Sequence, residues 1–443
     1  MDHSNGIRSI SLFILLLTVY RVSFAQVDQT TSTRDSTGYT RSERETFPNT
    51  AAGELTPGRG FNLVKTEKGS LNVSIYAIVR YLNQLPGNQT WYDHLGRQQN
   101  FVGRNDFYWH RTMIWFTGFV LTPRLTYTAT VWTIMTTQQT LVYGNLQYAV
   151  NKYINLGMGI MPNISVRSMQ GPFPFYSSTD RTMGEESLRA GFTNGFFVRG
   201  QVVPRLTYIL MLGDNLSTLG VAAANLTRTL SKGAGLVWMP TTGEFGQRGG
   251  IMDFEHHDKV ATRFGVNYTY DRDSRFNDMS NPSPDNVQVR MTDGVLFFQT
   301  GALADGVTVQ DATYQMLAVD AGLKYKGFQV QLEGYDRWLT DFNADGPVPV
   351  SSLHDIGYSV QLNQMVVPKT LGIYAIHSYF FDAFNRHPWE VGGGFNFYPK
   401  QSRSWRINAQ VHHVYKSSAG GTFGLYNAGQ TGTTITIGSD ILL

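Results

Sequence analysis

The chain contains no cysteine, no long apolar run in its body and almost no net charge. Without cysteine it can build neither a disulfide framework nor a thiolate site. Past the first 25 residues no stretch approaches the 18 or so apolar residues of a spanning helix, and the mean hydropathy is −0.22. The 36 basic and 33 acidic side chains give a formal charge of +3. That balance argues against a nucleic-acid binder, which carries a strong basic excess. A pore can still be charge-selective at low net charge, because a solute feels only the residues lining its path.

What the chain does have is alternation. Residues 313–340 read as two arms joined by Lys326-Gly327. Leu317, Val319, Ala321, Leu323 and Tyr325 share one face of the first arm, opposite Met316, Ala318, Asp320 and Lys324. On the second, Phe328, Val330, Leu332 and Trp338 oppose Gln329, Gln331, Glu333, Tyr335 and Arg337. Strict period-two patterning across a two-residue glycine turn is a β-hairpin with one apolar and one polar face. Arms this long, with aromatic residues near their ends, suit strands that cross a membrane at a tilt.

Residues 1–25 read as a signal peptide: Arg8, an apolar core over Ile10 to Val19, and Ser23-Phe24-Ala25 as a small-x-small cleavage site. Residues 26–68, rich in Thr, Ser, Arg and Glu, read as a flexible periplasmic segment. The barrel domain is then 69–443. Strands are expected near 69–81, 106–121, 124–137, 141–150, 153–161, 192–203, 205–213, 231–239, 259–272, 313–325, 328–340, 353–366, 370–381, 388–398, 402–416 and 431–443. This is an all-β chain: a transmembrane antiparallel β-barrel of about 16 strands, an even number as bacterial single-chain barrels show. The segment 294–300 could add a strand, but that would make the count odd. Links of one to three residues alternate with long ones, as on the two rims of an outer-membrane barrel. The link 240–258 breaks this rule, being long on the short-turn side. With a periplasmic N-terminus, Tyr81, Tyr270, Trp338, Trp389 and Tyr415 fall at the outer rim, and Tyr325, Phe397, Tyr398 and Trp405 at the inner one.

Residues 155–215 carry N-L-G-M-G-I-M-P, then S-S-T-D-R-T-M-G-E-E-S-L-R-A, then G-F-F-V-R-G-Q-V-V-P-R-L-T-Y-I-L-M-L-G-D-N. This text resembles the phosphate-selective porin O/P family, and D-F-E-H-H-D-K-V-A-T-R-F-G-V-N-Y-T at 253–269 looks like a Bacteroidetes branch of it. The resemblance spans about residues 60–443. It implies a homotrimer of sixteen-stranded barrels whose third outer loop folds inward. The chain departs from the family in having no dense arginine ladder or lysine cluster, and in ending Ile441-Leu442-Leu443 rather than in an aromatic residue.

By position the third long loop is 162–191, which carries Arg167, Arg181 and Arg189 alongside Asp180, Glu185 and Glu186. Its Gly171-Pro172-Phe173-Pro174-Phe175 segment is stiff and apolar, suited to packing against a wall. Alternation turns Arg80, Arg199, Arg263, Lys324, Arg337, Arg406 and Lys416 into the lumen, against Asp271, Asp320 and Glu333. A cationic excess in a constriction attracts anions; the competing reading is that the arginines pair with carboxylates and line an unselective wall. Arg181 and Arg189 are expected to face Arg199 and Arg263 across the pore.

Glu255-His256-His257-Asp258 offers metal-ligand types, but adjacent histidines on a strand point to opposite faces, so a solvated turn is the plainer reading. His94 beside Asp93 is the best raw material for hydrolytic chemistry, and no second element supports it. The expectation is a non-enzymatic porin of the Gram-negative outer membrane, without cofactor or metal. It would pass small hydrophilic solutes, leaning to phosphate or other small anions, with outer-membrane lipid around it. The alternatives are a surface-binding or adhesive barrel with a closed lumen, and an outer-membrane hydrolase.

Overall fold

The computed structural model describes residues 60–134, 139–170, 175–216, 229–241, 245, 250–276, 280, 282–419 and 425–443. The signal peptide, most of the 26–68 segment and Gly171–Pro174 lie outside the described residues.

The chain opens with β1 (Phe61–Lys65), β2 (Ser70–Leu85) and the short pair β3 (Asn88–Tyr92) and β4 (Gln98–Val102). Next come β5 (Asn105–Val120), β6 (Thr122–Ile134), β7 (Gln139–Ala149) and β8 (Asn155–Pro162). A short helix, α1 (Met183–Leu188), precedes β9 (Phe192–Val203), β10 (Leu206–Gly213), β11 (Ser231–Trp238) and β12 (Ala261–Ser274). The rest is strand: β13 (Val309–Tyr325), β14 (Phe328–Ala344), β15 (Leu353–Val367), β16 (Leu371–Phe381), β17 (Trp389–Phe397), β18 (Trp405–Tyr415) and β19 (Gly432–Leu442).

Sixteen strands, β2 and β5 to β19, pair antiparallel with their neighbours in chain order, and β19 pairs with β2, with Ile437 opposite Tyr81. The sheet is therefore a closed barrel without a free edge, which satisfies every ladder hydrogen bond in lipid. All sixteen expected strands are present, with ends shifted by a few residues. The 294–300 segment adds none; Leu296 makes only an isolated bridge to Arg290. Two features extend the expectation. Phe61–Lys65 pairs with the start of β2, so the end of the 26–68 segment is tied to the barrel. The first long link folds back as the β3–β4 hairpin.

Alternation has the cause read from the sequence. On β14, Gln329, Gln331, Glu333, Tyr335 and Arg337 are buried toward the barrel interior, while Phe328 and Leu332 are exposed on its outside. The same apolar outer face recurs at Val319, Ile373, Val411 and Ile437, the band expected to face lipid. Lys326 and Gly327 both take positive φ (48° and 84°), the two-residue hairpin turn that suits the strand twist. Trp389 and Tyr415 stack at one rim with centroids 6.0 Å apart. Tyr398 is a correction: it is buried in an interior cluster with Met252 and Phe254, not on the outer girdle.

Candidate functional site: the filled lumen

The third long loop folds into the barrel, as its position suggests. It leaves β8 at Pro162, makes a 3-10 turn over Arg167–Gln170, and re-emerges after α1. The N-cap is Thr182, whose hydroxyl accepts from the Glu185 amide, and Glu185 and Glu186 lie in the first turn, where the helix end favours negative charge. The loop is fastened to walls all round the barrel. Glu333 accepts from the Arg167 amide at 2.5 Å and Glu390 from the Met183 amide at 2.6 Å. Asn396 donates to the Ser177 carbonyl at 2.8 Å, and Arg406 to that of Tyr176 at 2.7 Å.

The firmest attachment is one that alternation does not reveal. Asp180 accepts from Arg111 at 2.9 Å and from Arg80 at 3.3 Å, with His110 Nε2 3.5 Å away. His110 and Arg111 are consecutive yet both buried. The pairing of β2 with β5 slips between Ile78 and Val79, leaving His110 as the extra residue of a bulge. A bulge breaks the alternation and re-aims a side chain; here it brings two neighbours onto one carboxylate. Burial alone would raise the Asp180 carboxyl, but Arg111, His110 and Arg80 together hold it well below the usual carboxylate range.

Most of the expected lumen cations are inward and paired with carboxylates. Arg263 bonds Asp320 at 2.9 Å and Gln170 of the loop at 2.6 Å. Arg337 meets Asp355 at 2.6 Å, and Arg406 meets Asp440 at 2.8 Å. Arg199, partly buried on β9, donates to Gln147 at 2.6 Å. Arg181 and Arg189 converge on Glu186, at 3.5 and 3.1 Å. Arg167 is buried in the loop itself. Lys324 donates to the carbonyls of Phe245 and Gly250. Lys416 lies over the Tyr415 ring at the end of β18. The four-arginine rim expected across the pore thus resolves into separate sites.

The cationic excess does not hold either. Besides Asp271, Asp320 and Glu333, the buried inward acids include Asp273, Asp355, Glu390 and Asp440, and the loop brings Asp180 and Glu185 among them. With these included, nine carboxyl groups stand against nine arginines and Lys324, so the large excess is gone.

The remaining candidates are placed as follows. His257 pairs with Asp253 and Glu255 approaches Arg403; among the described residues no three His, Cys, Asp or Glu side chains are grouped to hold a metal ion. His94 pairs through Nδ1 with Asp293, 2.7 Å away across the outer rim, rather than with Asp93, and its Nε2 lies 2.9 Å from the Ala302 carbonyl. A hydrolytic dyad needs a nucleophile at that second nitrogen; a carbonyl occupies the position. The pair instead ties the β3–β4 hairpin to the long β12–β13 loop. Burial raises the Asp293 carboxyl, but the bond to His94 and its charge outweigh this and leave it below the usual value. A carboxyl depressed on folding stabilises above its unfolded pKa, about 3.9, and loses that contribution as pH falls through its folded value. Asp293→Asn, which mimics the protonated group, should therefore raise protease cleavage in residues 93–97 at neutral pH; unchanged cleavage would show that the tie carries no load.

No family model and no curated protein matches the chain. Among solved structures, outer-membrane expressed OmpT of Vibrio cholerae aligns with TM-score 0.51 and 11% identity over 86% of this chain and 99% of that one. The Salmonella typhi OmpF complex with daunomycin gives 0.49 and 11% over 86% and 100%. The anion-selective porin from Comamonas acidovorans gives 0.47 and 11% over 84% and 100%. At this identity the first likeness shows the fold alone: the chain has the closed β-barrel architecture of an outer-membrane protein.

Proposed function

We propose that this protein is a porin of the outer membrane, a non-enzymatic, narrow and nearly charge-balanced channel for small hydrophilic solutes. The carrying observation is the inner wall. It is polar on strand after strand, and some of its buried groups, such as the Asn267 amide and the Thr436 hydroxyl, have no protein partner. Left dry, each such group costs about 1–3 kcal/mol, so the wall requires water beside it. A barrel built only to hold loops would do better with apolar side chains inside.

Phosphate or general anion preference is not part of this reading, because most of the cations meant to supply it, among them Arg80, Arg263, Arg337 and Arg406, are paired with carboxylates. A homotrimer is part of it, by resemblance to porins, and chemical cross-linking in detergent tests it. Burial of the inward face under the third loop, and under the buried Ile251, Met252 and Phe254 of the β11–β12 link, favours a second reading, a surface-binding barrel with a closed lumen. Purified protein in planar bilayers separates the two. Stepwise conductance, with a reversal potential near zero in a potassium chloride gradient, is expected for the channel; a silent bilayer at all voltages supports the closed barrel.

A further inference from the structure

The link between β11 and β12 is long on the rim where every other link is short, and of its described residues Phe245 and 250–254 are buried at the inner mouth of the barrel. Phe245, Ile251, Met252, Asp253 and Phe254 are all buried. The segment adds no strand to the sheet, so side chains and single hydrogen bonds hold it in place.

The first anchor is Lys324, near the inner end of β13. Its ammonium donates to the carbonyls of Phe245 and Gly250, both at 2.6 Å, and lies 4.6 Å from the Phe245 ring centre. Two residues back on the same face, Gly322 makes room: a Cβ there would come within 2.5 Å of the Phe245 ring. The second anchor is Asp253, which accepts from the Gly327 amide at 2.8 Å in the β13–β14 turn. Across the mouth, Arg403, in the β17–β18 turn, donates to the Met252 carbonyl at 3.2 Å, with its guanidinium 4.9 Å from Phe254 and 4.8 Å from Phe175. Phe254 meets Tyr398 edge-on at 4.9 Å. The segment thus runs from β13 to the β17–β18 turn, and Ile251 donates its amide at 3.0 Å to the carbonyl of Phe175 in the inward-folded third loop, here the constriction loop.

We propose that residues 250–257, with Phe245, are a plug that closes the inner mouth of the channel at rest and is coupled to the constriction loop through Phe175. The anchors sit at turns and strand ends, and one ammonium holds two of the plug's carbonyls, so a few losses free it without breaking a strand pair. The inference rests on the channel reading.

Single-channel recording in planar bilayers tests it, using the full chain, a chain with residues 242–254 replaced by Gly-Ser-Gly, and Lys324→Met. Folding of each is checked by the heat-dependent gel shift of barrels. Excision should raise the open fraction by about threefold or more, since the element that closes the mouth is gone. Lys324→Met should raise the open fraction with frequent transitions. A folded excised chain with the wild-type open fraction overturns the plug while the channel stands. Silence from both the wild type and the excised chain removes the channel reading and the plug together. If excision prevents folding, Lys324→Met decides: an unchanged open fraction overturns the proposal.

Discussion

Asp180→Asn should destabilise the folded barrel by about 3–5 kcal/mol, the usual cost of removing one partner from a buried ion pair. The reason is what it leaves behind. Arg80 and Arg111, whose side chains are 0% and 3% exposed, would keep their charges after losing the carboxylate between them. The carboxylate is also the loop's charged tie to β2 and β5, so the variant should show a noisier open level in bilayers as well as a lower unfolding midpoint in denaturant. Because the Asp180 carboxyl lies well below its usual range, its contribution is fully present above about pH 4 and fades only in stronger acid. Arg80→Met and Arg111→Met added to Asp180→Asn should recover much of the loss, since replacing the whole cluster removes the uncompensated charges. If Asp180→Asn unfolds at the wild-type midpoint, the loop is held by its main-chain contacts and the cluster is incidental.

The barrel is legible in the sequence because lipid imposes one rule on every strand. Val319, Leu332, Ile373 and Ile437 face outward on four different strands, whatever packs inside. Alternation fails where the interior makes its own demands. At His110 the bulge puts consecutive residues on one face, and no periodic reading can find that. Asp180 lies in an irregular loop, so its arginine partners could come only from three dimensions. Asp355, Glu390 and Asp440 are a different case. Each neighbours an outward apolar residue, Ile356, Val391 and Ile441, so parity alone places them inward. Counting them with Asp271, Asp320 and Glu333 sets six acids against the seven inward cations, which removes most of the cationic excess on alternation alone. The plug, too, leaves a trace: an over-long link carrying Phe245, Ile251, Met252 and Phe254 has apolar side chains with nowhere to go but the lumen.

Asp320→Asn, Asp355→Asn and Asp440→Asn combined should turn a weakly selective channel into an anion-preferring one. In the wild type each carboxylate sits within 3 Å of its arginine, at 2.9, 2.6 and 2.8 Å. A passing ion therefore meets three dipoles rather than three charges. Removing a carboxylate's charge leaves a full positive charge on Arg263, Arg337 or Arg406. At about 6 Å and an effective dielectric of 20, one such charge is worth roughly 3 kcal/mol to a monovalent ion. Screening by salt reduces this, yet a shift of about tenfold in the chloride-to-potassium permeability ratio needs only about 1.4 kcal/mol. The opposite substitution supplies the control. Arg263→Gln leaves Asp320 uncompensated and should move the reversal potential toward potassium. Opposite shifts from the two partners of one ion pair are what a compensated wall requires. A wall of field-generating arginines would respond strongly to the arginine change and little to the aspartates. No shift from either would place the ion path away from β12, β14 and β18, on the side of the barrel where Arg199 faces Gln147.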